Sequence, residues 1–354
     1  MSTHSMQVLH VTHRYPPRVG GVERHVKALA TRQRAAGHDV CVVTADPNEA
    51  DGDRPNSVPV MRCRSLAPGG AFYLSPSVYP AVRRHDASAD VIHIHNYHAF
   101  PFVLGAFATR DAALVATPHY HGQSASEFRD RLLRLYRPLG RRALERADAI
   151  VAVSEWERKI LSRDLVDRVT VVRNGIDVDR FAGAPAERRD GPYLLMVGRL
   201  EQYKRVDLAV AALTELPSYH LVVAGRGPDR DRLVSRATDA GVADRLDLLG
   251  YVDDERLPGL YAGAAAHLAL SEHEAYGLTV GEALAAGTPS VVREVGGLSE
   301  WADRRDCIAT AASPAAIAEA VDAAVGLDAP SAPIQSWDDC AEGVAAVYER
   351  ATTS

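Results

Sequence analysis

Short apolar runs that alternate with stretches of helical spacing constrain this chain more than any other feature. A strand buried on both faces reads as an unbroken Val/Ile/Leu run, and each parallel crossover needs a helix, so the alternation implies helix-covered parallel sheets. The first half offers QVLHVT, HDVCVVT, VPVMRC, DVIHIH, AALVATP, AIVAVS and VTVVRN. A break follows at AGAPAERRDGP, whose Ala, Pro, Gly and charge read as a linker. The pattern then restarts with YLLMVG, HLVVAG, LDLLG, AAHLAL, PSVVRE and a weaker CIATA. The expected fold class is therefore α/β, with Rossmann-like domains at residues 1–182 and 193–330, a linker at 183–192, and a closing segment at 331–354. That segment carries a helix from Asp338 to Ala351. A length of 354 residues suits two domains of the common size of ~150.

The formal net charge of -6 opposes general nucleic-acid binding, which needs a basic surface against the phosphates. Cys41, Cys63, Cys307 and Cys340 stand far apart, with no CxxC pair and no histidine at zinc-finger spacing. Free thiols in a reducing compartment are expected, rather than a disulfide or zinc framework. The N-terminal MSTHSMQVLHVTHRYPP has too short an apolar run for a signal peptide, and no stretch of ~20 apolar residues occurs. The expectation is a cytoplasmic chain, with any membrane contact peripheral, at the inner face.

The richest segment for chemistry is SEHEAYGLTVGEALAAGTPSVV, from Ser271 to Val292. AAAHLAL before it reads as a buried strand, and Leu278 to Ala286 as a helix stopped by Gly287. The loop lies at a strand's carboxyl end, where open parallel sheets bind ligands, and the helix start at Gly277, Leu278 and Thr279 turns free N–H groups toward any phosphate. Glu274 and Glu282 flank that anion site. YLLMVGRLEQYKRVDLAVAAL adds a second strand, a Gly198 turn, and then Arg199 and Lys204 before a helix. Arginine can fork two oxygens and lysine adds a mobile charge, so a diphosphate fits the pair. Glu282 suits the two hydroxyls of a ribose.

Other segments leave alternatives open. HLVVAGRGPDRDRL sets Gly225 and Gly227 after a strand but Arg230 where a third fingerprint glycine would stand, so a tight turn and close nucleotide approach both fit. Gly20 and Gly21, between a strand and an amphipathic helix, offer bare backbone to a ligand or a flexible loop. His119 and His121 follow a strand and either face a cleft or make structural hydrogen bonds. His93, His95 and His98 in HIHNYH have neither acidic company nor a recognised ligand spacing, so no metal is expected there. Asp51/Asp53, Asp177/Asp179 and Asp229/Asp231 fall where aspartate caps or turns. From Arg129 to Arg146, Leu132, Leu135 and Leu139 form a stripe opposite Arg134, Arg137 and Arg141, with Pro138 expected to break or kink the helix. This basic face suits an anionic membrane, an acidic acceptor, or plain solvent.

VGGVERHV, ATPHYHG, VSEWERKIL, VVRNGIDVDRF, LLMVGRL with Lys204, LLGYVDDERLPGLYAGA and EAYGLTVGEALAAGTPSVVREVGG together resemble family 4 of the retaining glycosyltransferases, over nearly the whole chain. The Glu-x7-Glu pair is that family's signature. The resemblance implies the GT-B fold of two facing Rossmann-like domains. It also implies transfer of a hexose-type sugar from a nucleoside diphosphate donor to an acceptor hydroxyl in the cleft between them, with retention and without metal or other cofactor. UDP as the donor base rests on family frequency. Arg199 and Lys204 would hold the diphosphate, Glu282 the ribose, Glu274 the transferred sugar and His119 its far hydroxyls. Gly21, beside Gly20, would lie against the phosphates, Gly225 close to the nucleotide, and the backbone of Tyr251 and Val252 against the base. The closing helix, with Trp337 as a family aromatic, would cross back to the first domain.

The acceptor is open among a lipid, a glycan and a small natural product. Gly281 stands where many relatives carry a larger residue and is expected to loosen the helix, at ~1 kcal/mol relative to Ala. Arg293 replaces a small residue ahead of a GG pair, its role open. Glu274 as a covalent nucleophile is the rival mechanism. Rival functions are a sugar-nucleotide epimerase of the same fold, which needs no acceptor, a non-catalytic nucleotide-sugar binding protein, and a nicotinamide oxidoreductase, which the broken glycine fingerprint disfavours.

Overall fold

A computed structural model describes residues 5–18, 20–46, 58–66, 73–122, 127–330 and 332–353, with side chains left aside at 127–133. Asp51 and Asp53, and the side chains of Arg129 and Leu132, lie outside the described residues. The chain forms two compact units, Met1–Asn174 with Trp337–Ser354, and Gly175–Ser336.

The first unit holds β1 (Gln7–Thr12), β2 (Asp39–Thr44), β3 (Val60–Arg62), β4 (Val91–His95), β5 (Ala113–Thr117), β6 (Ala149–Ala152) and β7 (Thr170–Val171). They form one parallel sheet in the order β3-β2-β1-β4-β5-β6-β7. The second unit holds β8 (Tyr193–Val197), β9 (His220–Ala224), β10 (Leu246–Gly250), β11 (Ala266–Ala269), β12 (Ser290–Arg293) and β13 (Cys307–Thr310). Their order is β10-β9-β8-β11-β12-β13, again parallel. Each apolar run of the sequence contains one strand. In both sheets the chain builds outward on one side and then returns to the other, so the direction reverses between β1 and β4 and between β8 and β11. Such switch points splay the connecting loops apart at the strands' carboxyl ends and leave a crevice.

Burial follows the pattern. Leu9, Val11, Ile92 and Ile94 join Phe102 in the first core, and Leu194, Met196, Val223, Leu268 and Val291 lie in the second. The helix Trp337–Thr352 packs within the first unit, where Gln33 Nε2 donates to Tyr348 Oη at 3.2 Å and Arg32 pairs with Asp338 at 2.6 Å. The Ala/Pro/Gly-rich stretch 183–192 is held on the second unit. Glu187 N donates to Gly259 O at 2.8 Å, Arg256 pairs with Glu187 at 2.7 Å, and Arg189 reaches Asp247 at 2.5 Å.

Of the expected break or kink in the arginine-rich segment, the break is corrected. The helix Glu127–Glu145 runs through Pro138 without ending. Tyr136 Oη donating to Ala99 O and Tyr97 Oη to Arg137 O, both at 3.4 Å, tie down the residues just before the proline. Leu135 and Leu139 of the stripe are 77% and 48% exposed, and the helix buries Tyr136, Ala143 and Leu144. Gly140 decides this, because its missing side chain lets the helix rest on the Tyr97 ring, 2.6 Å from where a Cβ would stand. Arg137 donates to Asp164 O at 2.7 Å, Arg141 pairs with Glu145 at 2.9 Å and Arg146 reaches Ala106 O at 3.1 Å, so part of the charge is spent on the fold.

Candidate functional site

The loops after β8 and β11 meet at the second unit's switch point. β8 ends in Gly198 at φ 149°, a left-handed conformation glycine adopts freely, and the chain passes Arg199 and a single turn at Gln202–Lys204 before the helix Val206–Ala212. β11 leads through Ser271 and Glu274 into the helix Leu278–Ala285. Residues seventy apart are thereby joined: the Lys204 ammonium pairs with the Glu274 carboxylate, and Ser271 Oγ donates to the same oxygen at 3.1 Å.

Burial works against the charge on each member of this pair. The Glu274 carboxylate, with Tyr203, outweighs it for Lys204, whose pKa ends above the ordinary lysine value. The Lys204 charge and the hydrogen bonds from Lys204 and Ser271 outweigh it for Glu274, which ends below the ordinary glutamate value. Both groups therefore stay ionised through neutral pH.

Around them is a pocket open to solvent, lined among others by Gly198, Arg199, Lys204, Ser271, Glu274 and Thr279. Arg199 pairs with Glu201 at 2.7 Å and donates to Tyr203 Oη at 3.2 Å, while its side chain stays 57% exposed. Gly277, at φ 94°, starts the helix Leu278–Ala285, and no side chain caps it. The free N–H groups of the first turn thus remain available to an anion. A Cβ on Gly277 would stand 2.7 Å from Leu298, so the tight entry requires glycine.

Glu282 sits deeper, 6% exposed, accepting a hydrogen bond from Tyr261 Oη at 2.8 Å. The two glutamates thus differ in setting, one ion-paired at the pocket wall and one on a tyrosine in the core. Gly281 does not loosen the helix, as its sequence suggested. A Cβ there would stand 2.6 Å from Ile176 and 3.0 Å from Trp301, so the glycine permits close packing. Arg293 turns under the Glu274 loop and donates to Leu270 O at 3.2 Å. Gly225 and Gly227 are explained by the protein itself, since a Cβ on either would overlap the backbone of Gly198 or Leu200. Gly225 N donates to Gly250 O at 2.7 Å and Leu200 N to Arg226 O at 3.0 Å, which ties the loops after β8, β9 and β10 together. Tyr251 is 49% exposed with the Arg226 guanidinium 5.8 Å from its ring centre, and Val252 packs against the core. Asp229 pairs with Arg232 at 2.5 Å.

In the first unit, Gly20 precedes the helix Gly21–Ala35 in an extended conformation, and a Cβ on it would collide with the Glu23 carboxylate. Gly21 has open space on its Cβ side. His119, just past β5, has φ 49° and is 8% exposed. A left-handed non-glycine residue stores strain, which is most often kept where a side chain must be aimed. Sequence reasoning missed its surroundings: His10, His25, His93 and His95 are fully buried, with His25 and His95 within 4.8 Å and 6.1 Å of the His119 ring centre. The available signal was His93-x-His95, which puts two imidazoles on one face of β4 beside His10 of β1. Burial keeps these rings neutral, lowering His10 and His25 to about 4 and His93, His95 and His119 well below the ordinary value.

The profile of Glycosyltransferase Family 4 matches residues 19–180, and that of Glycosyl transferases group 1 matches residues 177–331. Glycogen synthase of Mycobacterium tuberculosis is 31% identical over 331 residues, covering 83% of this chain and 80% of that protein. The chain belongs to the family 4 glycosyltransferases. A further relative of this glycosyltransferase is the GDP-mannose:cellobiosyl-diphosphopolyprenol alpha-mannosyltransferase of Komagataeibacter xylinus, 28% identical over 82% of this chain and 76% of that one. Sucrose-phosphate synthase from Thermosynechococcus elongatus superposes with a TM-score of 0.82 at 21% identity, over 97% of this chain and 98% of that one, and shows that the glycosyltransferase has the GT-B fold. Among the described residues no helix is long and apolar enough to cross a membrane.

Proposed function

We propose that this glycosyltransferase moves a hexose-type sugar from a nucleoside diphosphate donor to an acceptor hydroxyl, with retention and without metal. The observation that carries this reading is the half-buried Lys204 ammonium, held charged beside Glu274 and next to Arg199 at the uncapped start of the helix Leu278–Ala285. Two cations and a helix end meet the charge that grows on a departing diphosphate, so the chain itself supplies what a metal ion otherwise would. Donor phosphate competes with Glu274 for the ammonium, which frees that carboxylate to accept from the sugar's hydroxyls. Glu282, oriented by Tyr261, takes the ribose, and His119 the sugar's far hydroxyls. A leaving phosphate oxygen receives the acceptor's proton, and no protein carboxylate is needed as nucleophile.

A UDP-sugar is the first donor to test and a GDP-sugar its rival, since the Komagataeibacter relative's name carries GDP-mannose. The same name carries a diphosphopolyprenol acceptor, which makes a lipid-linked acceptor the first choice here. The exposed Leu135 and Leu139 beside Arg134 and Arg142 suit peripheral contact with the membrane that presents it. The test is a thermal-shift panel of nucleotide sugars followed by product analysis with the best donor. A donor at 100 times its dissociation constant stabilises the fold by ~2.7 kcal/mol. A donor that binds and is epimerised without any acceptor would replace this reading with the epimerase.

A further inference from the structure

We propose that His25, His95 and His119 form a three-imidazole binding site for a divalent first-row transition metal of the zinc class. Each residue offers one ligand nitrogen, and these lie within 4.8 Å of one another. Tetrahedral zinc at ~2.05 Å from each imidazole nitrogen sets neighbouring ligand atoms ~3.3 Å apart, so small ring rotations complete the geometry. On these same three rings His25 Nε2, His95 Nδ1 and His119 Nε2 are buried and without a hydrogen-bond partner. Three orphaned nitrogens converging at one place carry a cost that apolar side chains would avoid, and a metal removes it.

The hydrogen bonds around the cluster fix the lone pairs where a metal needs them. Gln33 Oε1 can only accept, so His10 Nε2, at 2.7 Å, carries the proton and His10 Nδ1 is left as an acceptor. His95 Nε2, 3.0 Å from His10 Nδ1, must then be the donor, which leaves the lone pair of His95 on Nδ1. Gln33 Nε2 also donates to Tyr348 Oη at 3.2 Å, and both nitrogens of His93 are engaged, Nδ1 with Tyr348 Oη and Nε2 with Thr117 Oγ1, each at 2.7 Å. On the other side His25 Nδ1 donates to Asn174 Oδ1 at 2.7 Å, leaving its lone pair on Nε2. Supporting bonds of this kind on the second ring nitrogen are what orient metal-bound histidines. The alternative triad His10, His93 and His95 is as compact, but both nitrogens of His10 and of His93 are already engaged. His119 provides the entry, being the member with measurable exposure, at 8%.

All-imidazole donors favour zinc, nickel, copper or iron over magnesium or calcium, and three of them leave a position open. The metal takes no part in the transfer step. It occupies the His119 nitrogen, so metal and donor compete for that ring, a consequence that rests on the reading of His119 under the proposed function.

The test is a Co2+ titration of chelator-treated full-length protein, read by the visible d–d bands of four-coordinate cobalt, with Zn2+ displacing them. The variant is His119→Asn, because asparagine tolerates the left-handed backbone and ligates poorly; His25→Gln is the second, and circular dichroism checks the folding of both. The expected result is one intense spectrum per chain in the wild type, lost in both folded variants. Absence of the bands in the wild type, or their survival in folded His119→Asn, overturns the site. A normal spectrum with nucleotide-sugar turnover unchanged by Zn2+ overturns the competition alone, and so separates failure of the His119 role from failure of the metal site.

Discussion

The two units share a sheet order and line their switch points with different side chains. At the loops around β8 and β11 the second unit holds a half-buried ion pair, Lys204 with Glu274. At β1, β4 and β5 the first unit buries neutral imidazoles, His10, His25, His93, His95 and His119. Glu157, one of its buried carboxylates, accepts from the backbone N–H of Tyr120 at 2.5 Å and of Val153 at 2.7 Å. Fold therefore sets where a ligand can sit, while the residues at the loops set which ligand, and the proposed diphosphate site lies in the second unit.

The sharpest way to break this comparison is Lys204→Ala. It removes a cation facing the departing diphosphate, so turnover should fall on the order of 10²-fold, or ~3 kcal/mol, with acceptor KM little changed. Steady-state kinetics with the identified donor checks this, and wild-type turnover would contradict the role.

The second contrast is in pH dependence. Burial raises the Glu157 pKa to about 7 against backbone bonds that lower it, so the folded state holds a proton that the unfolded chain releases near its ordinary value of 4.5. Its contribution is complete below pH 4.5 and is lost as pH rises through 7, by up to ~3 kcal/mol. Glu274 runs the other way, its depressed pKa giving stability present at neutral pH and lost as pH falls below the ordinary carboxylate range. Urea melts of wild type and Glu157→Gln from pH 5 to 8 check the sign. The wild type should weaken as pH rises while the variant stays flatter.

Much of this was legible in the sequence, and the rest was not for physical reasons. Burial on both sheet faces writes each strand as an apolar run, so every strand from β1 to β13 shows in the sequence, and the strand–loop–helix unit around Glu274 follows from the same logic. Strand order is not a local property. Nothing in YLLMVG or AAAHLAL says that β8 and β11 are neighbours, and the Lys204–Glu274 pair depends on it. Gly225 and Gly281 read ambiguously because the neighbours that demand them, Gly198 and Ile176, are distant in sequence. The exposure of Leu135 and Leu139 was not legible because helical spacing shows which residues share a face, not whether that face is buried.

Two smaller effects refine the second unit. Gly281→Leu has to displace Ile176, so it should destabilise by ~2 kcal/mol as overpacking does, measured by denaturant midpoint. Tyr261→Phe removes the hydrogen bond that orients Glu282 and should cost ~1 kcal/mol, appearing in donor KM more than in turnover.

The most direct measurement is calorimetric titration of UDP and GDP into wild type, Lys204→Ala and His119→Asn. The account predicts that the preferred nucleotide binds Lys204→Ala at least about tenfold more weakly, a loss of ~1.4 kcal/mol, and binds His119→Asn within about twofold of wild type. Equal affinity for wild type and Lys204→Ala, or a loss confined to His119→Asn, would contradict the claim that the second unit holds the diphosphate.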